Sequence, residues 1–212
     1  MFTIAKWDHT KEEGIYKVSA PVRRFSEIKD TVFDMVKWLN DNNGKFEEPY
    51  TTAYAVSHCQ VEANPYHFFI VSKDLVGDKK KKEGRNTSKN YFFPSQIIVN
   101  AEVIDTPEKI TVNKPMRRIV RGKDGKVTPK IEIKETVERN GIFVPEACMS
   151  FRNRTKKNME RFYRVTVRYQ IPKKILGVWY LSTKTEVVEG LKSHIFQHET
   201  DHAKAKNMYY GK

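Results

Sequence analysis

The five residues His198-Glu199-Thr200-Asp201-His202 constrain this chain more than any other stretch. Four residues turn an α-helix by about 400°, so His198 and His202 share one helix face, one turn apart. Two imidazoles so placed can hold one metal ion, and Glu199 can reach water beside it. The run into the motif has a helical period, because Leu191, Ile195, His198 and His202 recur at i, i+4, i+7 and i+11 after Gly190, which marks the helix start. The alternative is a chance H-E-x-x-H on a polar helix face. Two histidines do not close a tetrahedral site, and the ten residues after His202 contain no His, Cys, Asp or Glu. The third ligand is therefore expected upstream, with Asp201 fixing an imidazole or a nearby arginine.

Upstream donors are few: Cys59, Cys148, His9, His58, His67 and His194. A thiolate with two imidazoles makes a Cys-His-His site with an open fourth position, the arrangement of a catalytic centre. Cys148 sits in "VPEACMSF" and Cys59 in "AYAVSHCQVE". For each, the competing reading is a buried small hydrophobe, the usual place of a free cysteine.

The flanking residues carry a resemblance. Glu146-Ala147-Cys148-Met149-Ser150 is similar to the E-G-C-L-S motif of peptide deformylases, and residues 197–202, QHETDH, are similar to their Q-H-E-x-D-H motif. Residues 53–60, AYAVSHCQ, resemble their G-x-G-x-A-A-x-Q motif more loosely. All three stand in family order. The resemblance implies a ligand set of Cys148, His198 and His202. It implies Glu199 as proton shuttle, with Gln60 and the Met149 backbone N–H as donors to the developing charge on a formyl oxygen. The substrate is then the formylmethionyl end of a nascent peptide, lying extended along Tyr54–Ala55 and Glu146–Ala147. Leu191, His194 and Ile195 are candidates for the methionine slot, although apolar residues at i, i+4 are more often plain core. The family implies one divalent ion: Fe2+ in the cell, with Zn2+ or Ni2+ acceptable in purified protein.

Apolar patterning predicts an α+β fold with strands in the middle and a helix near each end, and the resemblance implies antiparallel β-sheets packed around the metal-binding helix. The helix near the N-terminus is expected in residues 26–44, with Ser26 as N-cap and Ile28, Val32, Met35 or Val36, and Leu39 inward. Strands are expected at "HFFIVS", "SQIIVNAEVI", "RRIVRG", "KIEIKETVE", "GIFVP", "RFYRVTVRYQI" and "ILGVWYLSTKTEVVEG". Asp124-Gly125 reads as a hairpin turn. The chain of 212 residues is read as a single catalytic domain, 1–212, and as a monomer. Its first residues have neither the apolar core of a signal peptide nor the acid-poor composition of a transit peptide, and no apolar run approaches a membrane span. Two cysteines in unrelated contexts make no disulfide framework, so a cytoplasmic protein is expected.

Charge is the unusual feature. The formal net charge is +13, and three segments carry more than all of it. Residues 73–90 hold seven Lys/Arg against three acids, 111–140 nine against four, and 152–174 nine against one. The first two read as basic insertions between Gln60 and Cys148, Lys79, Lys80, Lys81 and Lys82 among them. Lysine runs are usually solvated loops. A clustered basic surface is also the electrostatic footprint of phosphate binding, and ribosomal RNA is the polyanion a deformylase meets.

Several positions depart from the family pattern. Ala53, Ala55 and Ala147 stand where glycines are usual, which costs energy wherever φ is positive. Ser57-His58 replaces Ala-Ala, and Phe151-Arg152 replaces aliphatic-Pro. None is expected to touch a ligand, the base or Gln60, and His58 is read as an ordinary hydrogen-bonded histidine. Two other readings remain open at this level: a peptidase-like Cys/His/His metallohydrolase, and a non-catalytic RNA-binding protein on the same scaffold.

Overall fold

The structure, a computed structural model, describes residues 2, 4, 14–42, 53–77, 92–121, 127–150 and 157–206. The lysines 79–82, the Asp124-Gly125 turn and Phe151-Arg152 lie outside them. A five-stranded antiparallel sheet has the order β1-β2-β3-β8-β9, from β1 (Ala55–Ser57), β2 (Phe68–Val71), β3 (Ile97–Asp105), β8 (Arg164–Ile175) and β9 (Val178–Glu189). Two separate hairpins accompany it: β4 (Lys109–Arg121) with β5 (Val127–Arg139), and β6 (Gly141–Glu146) with β7 (Lys157–Phe162). Helix α1 (Lys29–Asn42) and helix α2 (Gly190–Ala203) complete an α+β fold of antiparallel sheets and a C-terminal helix, as expected.

The sheet is sandwiched between two apolar clusters, which explains the unbroken apolar run of β2. Phe68 and Ile70 point to one side, with Ile28, Val32, Met35 and Leu39 of the α1 region. Phe69 and Val71 point to the other, with Ile195 and Phe196 of α2. A strand covered on both faces has no polar face to alternate with. The 3.6-residue period placed the α1 stripe correctly but left Met35 and Val36 as alternatives; the structure buries Met35 and leaves Val36 half-buried. Ser26 is not its N-cap. It lies in a 3-10 turn, Phe25–Glu27, and the first helical hydrogen bond runs from Val32 N–H to Ile28 O at 2.8 Å.

Strand β3 changes face partway along. Ile97 and Val99 join the α1 cluster and Ile98 the α2 cluster, yet Ala101 rather than residue 100 continues on the α2 side. The cause is a bulge at Asn100, whose φ is +48° and where the register to β8 shifts. The Asn100 side chain holds the bulge. It accepts from Val22 N–H at 2.9 Å and donates to Val22 O and Gln170 Oε1, both at 2.7 Å.

The stretch "RFYRVTVRYQI", read as one strand, is two strands in different sheets. The chain leaves β7 at Phe162 and enters β8 at Arg164. Buried Asn140 makes that corner. Its N–H donates to Glu108 O and its carbonyl accepts from Tyr163 N–H, both at 2.8 Å. Its side-chain amide donates to Arg164 O and its Oδ1 accepts from Arg164 N–H, again at 2.8 Å.

Helix α2 is buried nearly all round, with Gly190 at φ +56° at its start. Two of its polar side chains are tied to β7. Gln197 accepts from Phe162 N–H at 2.9 Å and donates to Phe162 O at 2.8 Å, and Ser193 donates to the same carbonyl at 2.7 Å. These bonds lock β7 to the helix that carries His198 and His202.

Candidate metal centre

Cys148 lies between the end of β6 and a turn at Met149–Ser150, and is buried beside α2. Its Sγ lies 3.2 Å from His202 Nε2, and the His198 and His202 rings stand 4.9 Å apart at 76°. One ligand atom from each of Cys148, His198 and His202 falls within 4.8 Å of the others. The donor set suits a divalent ion, one soft sulfur with two imidazoles. Burial alone would raise the Cys148 thiol, but His202 and His198 beside it pull it down to about 6, so the thiolate that a metal requires forms near neutrality. Cys59 is buried nearby and its thiol is pushed up, first by burial and then by Glu199 and Cys148. The surroundings thus shift the two thiols in opposite directions.

Behind the Cys148, His198 and His202 cluster runs a chain of charges that the sequence only half anticipates. Glu146 Oε2 meets His198 Nδ1 at 3.1 Å, which leaves Nε2 to face the cluster. Arg161 grips Glu146 with two bonds, Nε to Oε1 at 2.8 Å and Nη2 to Oε2 at 2.9 Å, and donates through Nη1 to Asp201 Oδ2 at 2.6 Å. Burial would raise the Glu146 carboxyl, but His198 and Arg161 hold it down at about 2. Glu146 is expected from the sequence to act through its main chain; its side chain orients the His198 ring. Arg161 was counted among the basic surface of 152–174, and is buried and ion-paired instead. The signal available for it was Asp201, for which an arginine partner was expected.

Glu199 and Gln60 are buried beside the cluster. Gln60 Nε2 donates to Ser150 Oγ at 3.1 Å and lies 3.7 Å from Cys148 Sγ, while its Oε1 accepts from Ser57 N–H at 2.9 Å. Ser57 Oγ donates to Glu199 Oε2 at 2.5 Å. The expectation that Ser57 would touch neither the base nor Gln60 is therefore wrong. A single-residue motif comparison could not register that the last residue of β1 faces α2. The Met149 side chain packs into the α1 cluster, which fixes its backbone next to Cys148.

The remaining candidates are spread around this centre. Tyr54 and Ala147 are exposed and Ala55 is half-buried at the start of β1. Ile195 is buried in the α2 cluster, Leu191 packs against that cluster, and half-buried His194 lies one turn before His198. Among the described residues other than glycine, positive φ occurs at Asn100, Leu176 and Ala205, so Ala53, Ala55 and Ala147 carry no left-handed strain. His58 accepts from Tyr66 N–H at 2.9 Å and stacks on Phe68 at 4.4 Å, the hydrogen-bonded histidine expected.

Residues 1–210 match the family model described as polypeptide deformylase. Solved structures agree in fold. A peptide deformylase from Thermotoga maritima is 17% identical with a TM-score of 0.53, over 100% of this chain and 97% of that one. One from Ehrlichia chaffeensis is 15% identical with a TM-score of 0.58, over 98% and 86%. A class I type b peptide deformylase from Acinetobacter baumannii, with Met-Ala-Ser bound, is 15% identical with a TM-score of 0.56, over 100% and 98%. No curated protein matches the chain.

Proposed function

This chain belongs to the polypeptide deformylase family, and from that premise we propose that it hydrolyses the N-formyl group of formylmethionyl peptides, releasing formate. The observation that carries the reading is the convergence of Cys148, half-buried His198 and His202 with buried Glu199 and Gln60 in one site. Cys148, His198 and His202 would hold one divalent ion, Fe2+ in the cell, with Zn2+ or Ni2+ as substitutes. When bound, the ion supplies Lewis-acid polarisation of the formyl carbonyl and lowers the pKa of water.

The chain's own groups do the rest. Glu199 takes the proton from water and delivers it to the leaving amine, a role commonly worth about 10²–10⁴ in rate. The Gln60 amide N–H, whose orientation Ser57 and Ser150 set, and the Met149 backbone N–H stabilise charge on the formyl oxygen. Arg161 and Glu146 keep the His198 ring at one angle and one tautomer. The peptide runs along Tyr54–Ala55 and Glu146–Ala147. The Acinetobacter relative is bound to Met-Ala-Ser, and a methionine-led peptide is what this reaction leaves behind. A single catalytic domain, monomeric and cytoplasmic, belongs to the same proposal; among the described residues no helix is long and apolar enough to cross a membrane. Ribosomal RNA is its proposed polyanionic contact, through the 73–90 and 111–140 segments.

Formate release from a formyl-Met tripeptide, measured beside cleavage of the unformylated peptide, tests the reaction. Formate without peptide-bond cleavage is expected, and the converse would make the protein a peptidase. Metal content tests the ligands. Cys148→Ala should lose the ion and Cys59→Ala should keep it, whereas equal loss in both would overturn the assignment.

A further inference from the structure

The Glu199 carboxylate is held by a hydroxyl that the deformylase pattern lacks, since alanine is the motif residue where this chain has Ser57. Ser57 ends β1 and is 2% exposed, and Glu199 opposite is 4% exposed. The two meet across 142 residues of chain, Ser57 Oγ to Glu199 Oε2 at 2.5 Å, with the Glu199 backbone oxygen 3.5 Å from the same hydroxyl. The Ser57 N–H meanwhile donates to Gln60 Oε1 at 2.9 Å. One residue thus touches both groups assigned to the reacting formyl group, one through its side chain and the other through its backbone.

We propose that Ser57 is a positioning residue for Glu199, its hydroxyl pinning Oε2 so that Oε1 is the oxygen presented to the proton in flight. An O–H donor to a carboxylate makes a short, strong bond, and in a buried site it is stronger still. Without it the carboxylate has an unfilled acceptor and a freer terminal torsion. The alanine of the family motif supplies no such donor. Ser57 also stands at the N-cap of the 3-10 turn His58–Gln60, and a purely local capping role is the rival account. The proposal rests on the deformylase reading of Glu199, although the contact itself can be measured without it.

Ser57→Ala separates these roles, because it removes the hydroxyl and keeps the N–H that orients Gln60. In zinc-loaded protein, S57A should lower kcat on a formyl-Met tripeptide by about ten- to a hundredfold, the scale of a misplaced reacting group. KM and zinc stoichiometry should not change. Thermal unfolding of S57A, Glu199→Ala and the double variant gives the second readout. S57A should lower Tm by about 2–4 °C when Glu199 is present and by nothing measurable when it is not. A kcat within twofold of the parent overturns the proposal. So does an equal Tm loss in both backgrounds, which would make Ser57 a turn cap. A parent that releases no formate would sink the deformylase reading itself, and the Tm cycle would still report the contact.

Discussion

At the scale of single residues, the centre separates groups that would hold an ion from the group that would move a proton. His198 and His202 stand one helical turn apart, with Cys148 brought across from β6, while Glu199 projects one residue further round the same helix and is tied to Ser57. Glu199→Gln keeps the size and the hydrogen bond but cannot accept the proton. The variant should therefore retain one ion per chain and lose about 10²–10⁴ of kcat, to be checked by metal analysis beside formate release. Near-parental turnover would remove Glu199 from the proton path. Titration of single side chains also shapes stability. His58 and His67 are both held at about 4, burial being the first cause in each, against an ordinary 6.5. Between pH 6.5 and 4 the unfolded chain binds protons that these two residues refuse in the folded chain, so the stability they contribute is full above 6.5 and falls as pH drops toward 4. Each such group contributes a slope of about 1.4 kcal/mol per pH unit. Urea unfolding of metal-free protein from pH 7 to 4.5 should show the slope, and His58→Gln should flatten it by about one proton. A variant with the parent's slope would mean that His58 is not buried neutral.

At the scale of elements, the metal helix owes its position to hydrogen bonds with a corner rather than to its own amphipathicity. Gln197 and Ser193 clamp the Phe162 backbone, and Phe196 packs against Phe69, Phe93 and Tyr169 with ring centroids 5.1 to 5.7 Å away. The corner itself turns on Asn140. Asn140→Ala should leave the Arg164 amide and carbonyl without these partners and cost about 1–3 kcal/mol, seen as a lower Tm. Because the β7–β8 corner also aims Arg161 at Glu146, the same variant should release metal more readily at a temperature where it is still folded. Full metal retention would show that Arg161 keeps its place without the corner.

At the scale of the whole molecule, the sheet with a helix on either side puts the cluster where an ion would be shielded on most sides, between α2 and the ends of β1 and β6. Basic charge is distributed differently from the sequence pattern. Of the 152–174 segment, Arg161 is consumed by the centre, and Arg164 and Arg168 pair with Glu189 and Glu102. Lys114 and Arg139 of the β4–β5 hairpin pair with Glu138 and Glu160. Net charge counted along a chain therefore overstates the charge free to meet a polyanion.

Much of this was legible in one dimension because it depends on spacing alone. Helical period placed His198 over His202 and set the inward stripe of α1; apolar runs marked β2 and β3; the chemistry of a soft third donor narrowed the ligand search to two cysteines. What remained hidden depends on which residues face one another across the sheet. The bulge at Asn100 shifts the register of β3, and the corner at Asn140 sends β7 and β8 into different sheets. Those two irregularities help decide what lies against α2, and neither has a periodic signature. So Arg161 looked like one more surface cation, and Ser57 like a substitution remote from the chemistry. Arg161's partners lie 15 and 40 residues along the chain, and Ser57's lies 142. Local spacing cannot encode a contact between elements, because burial favours any arrangement that covers apolar faces, and only the packed tertiary structure selects which polar groups are left opposite one another.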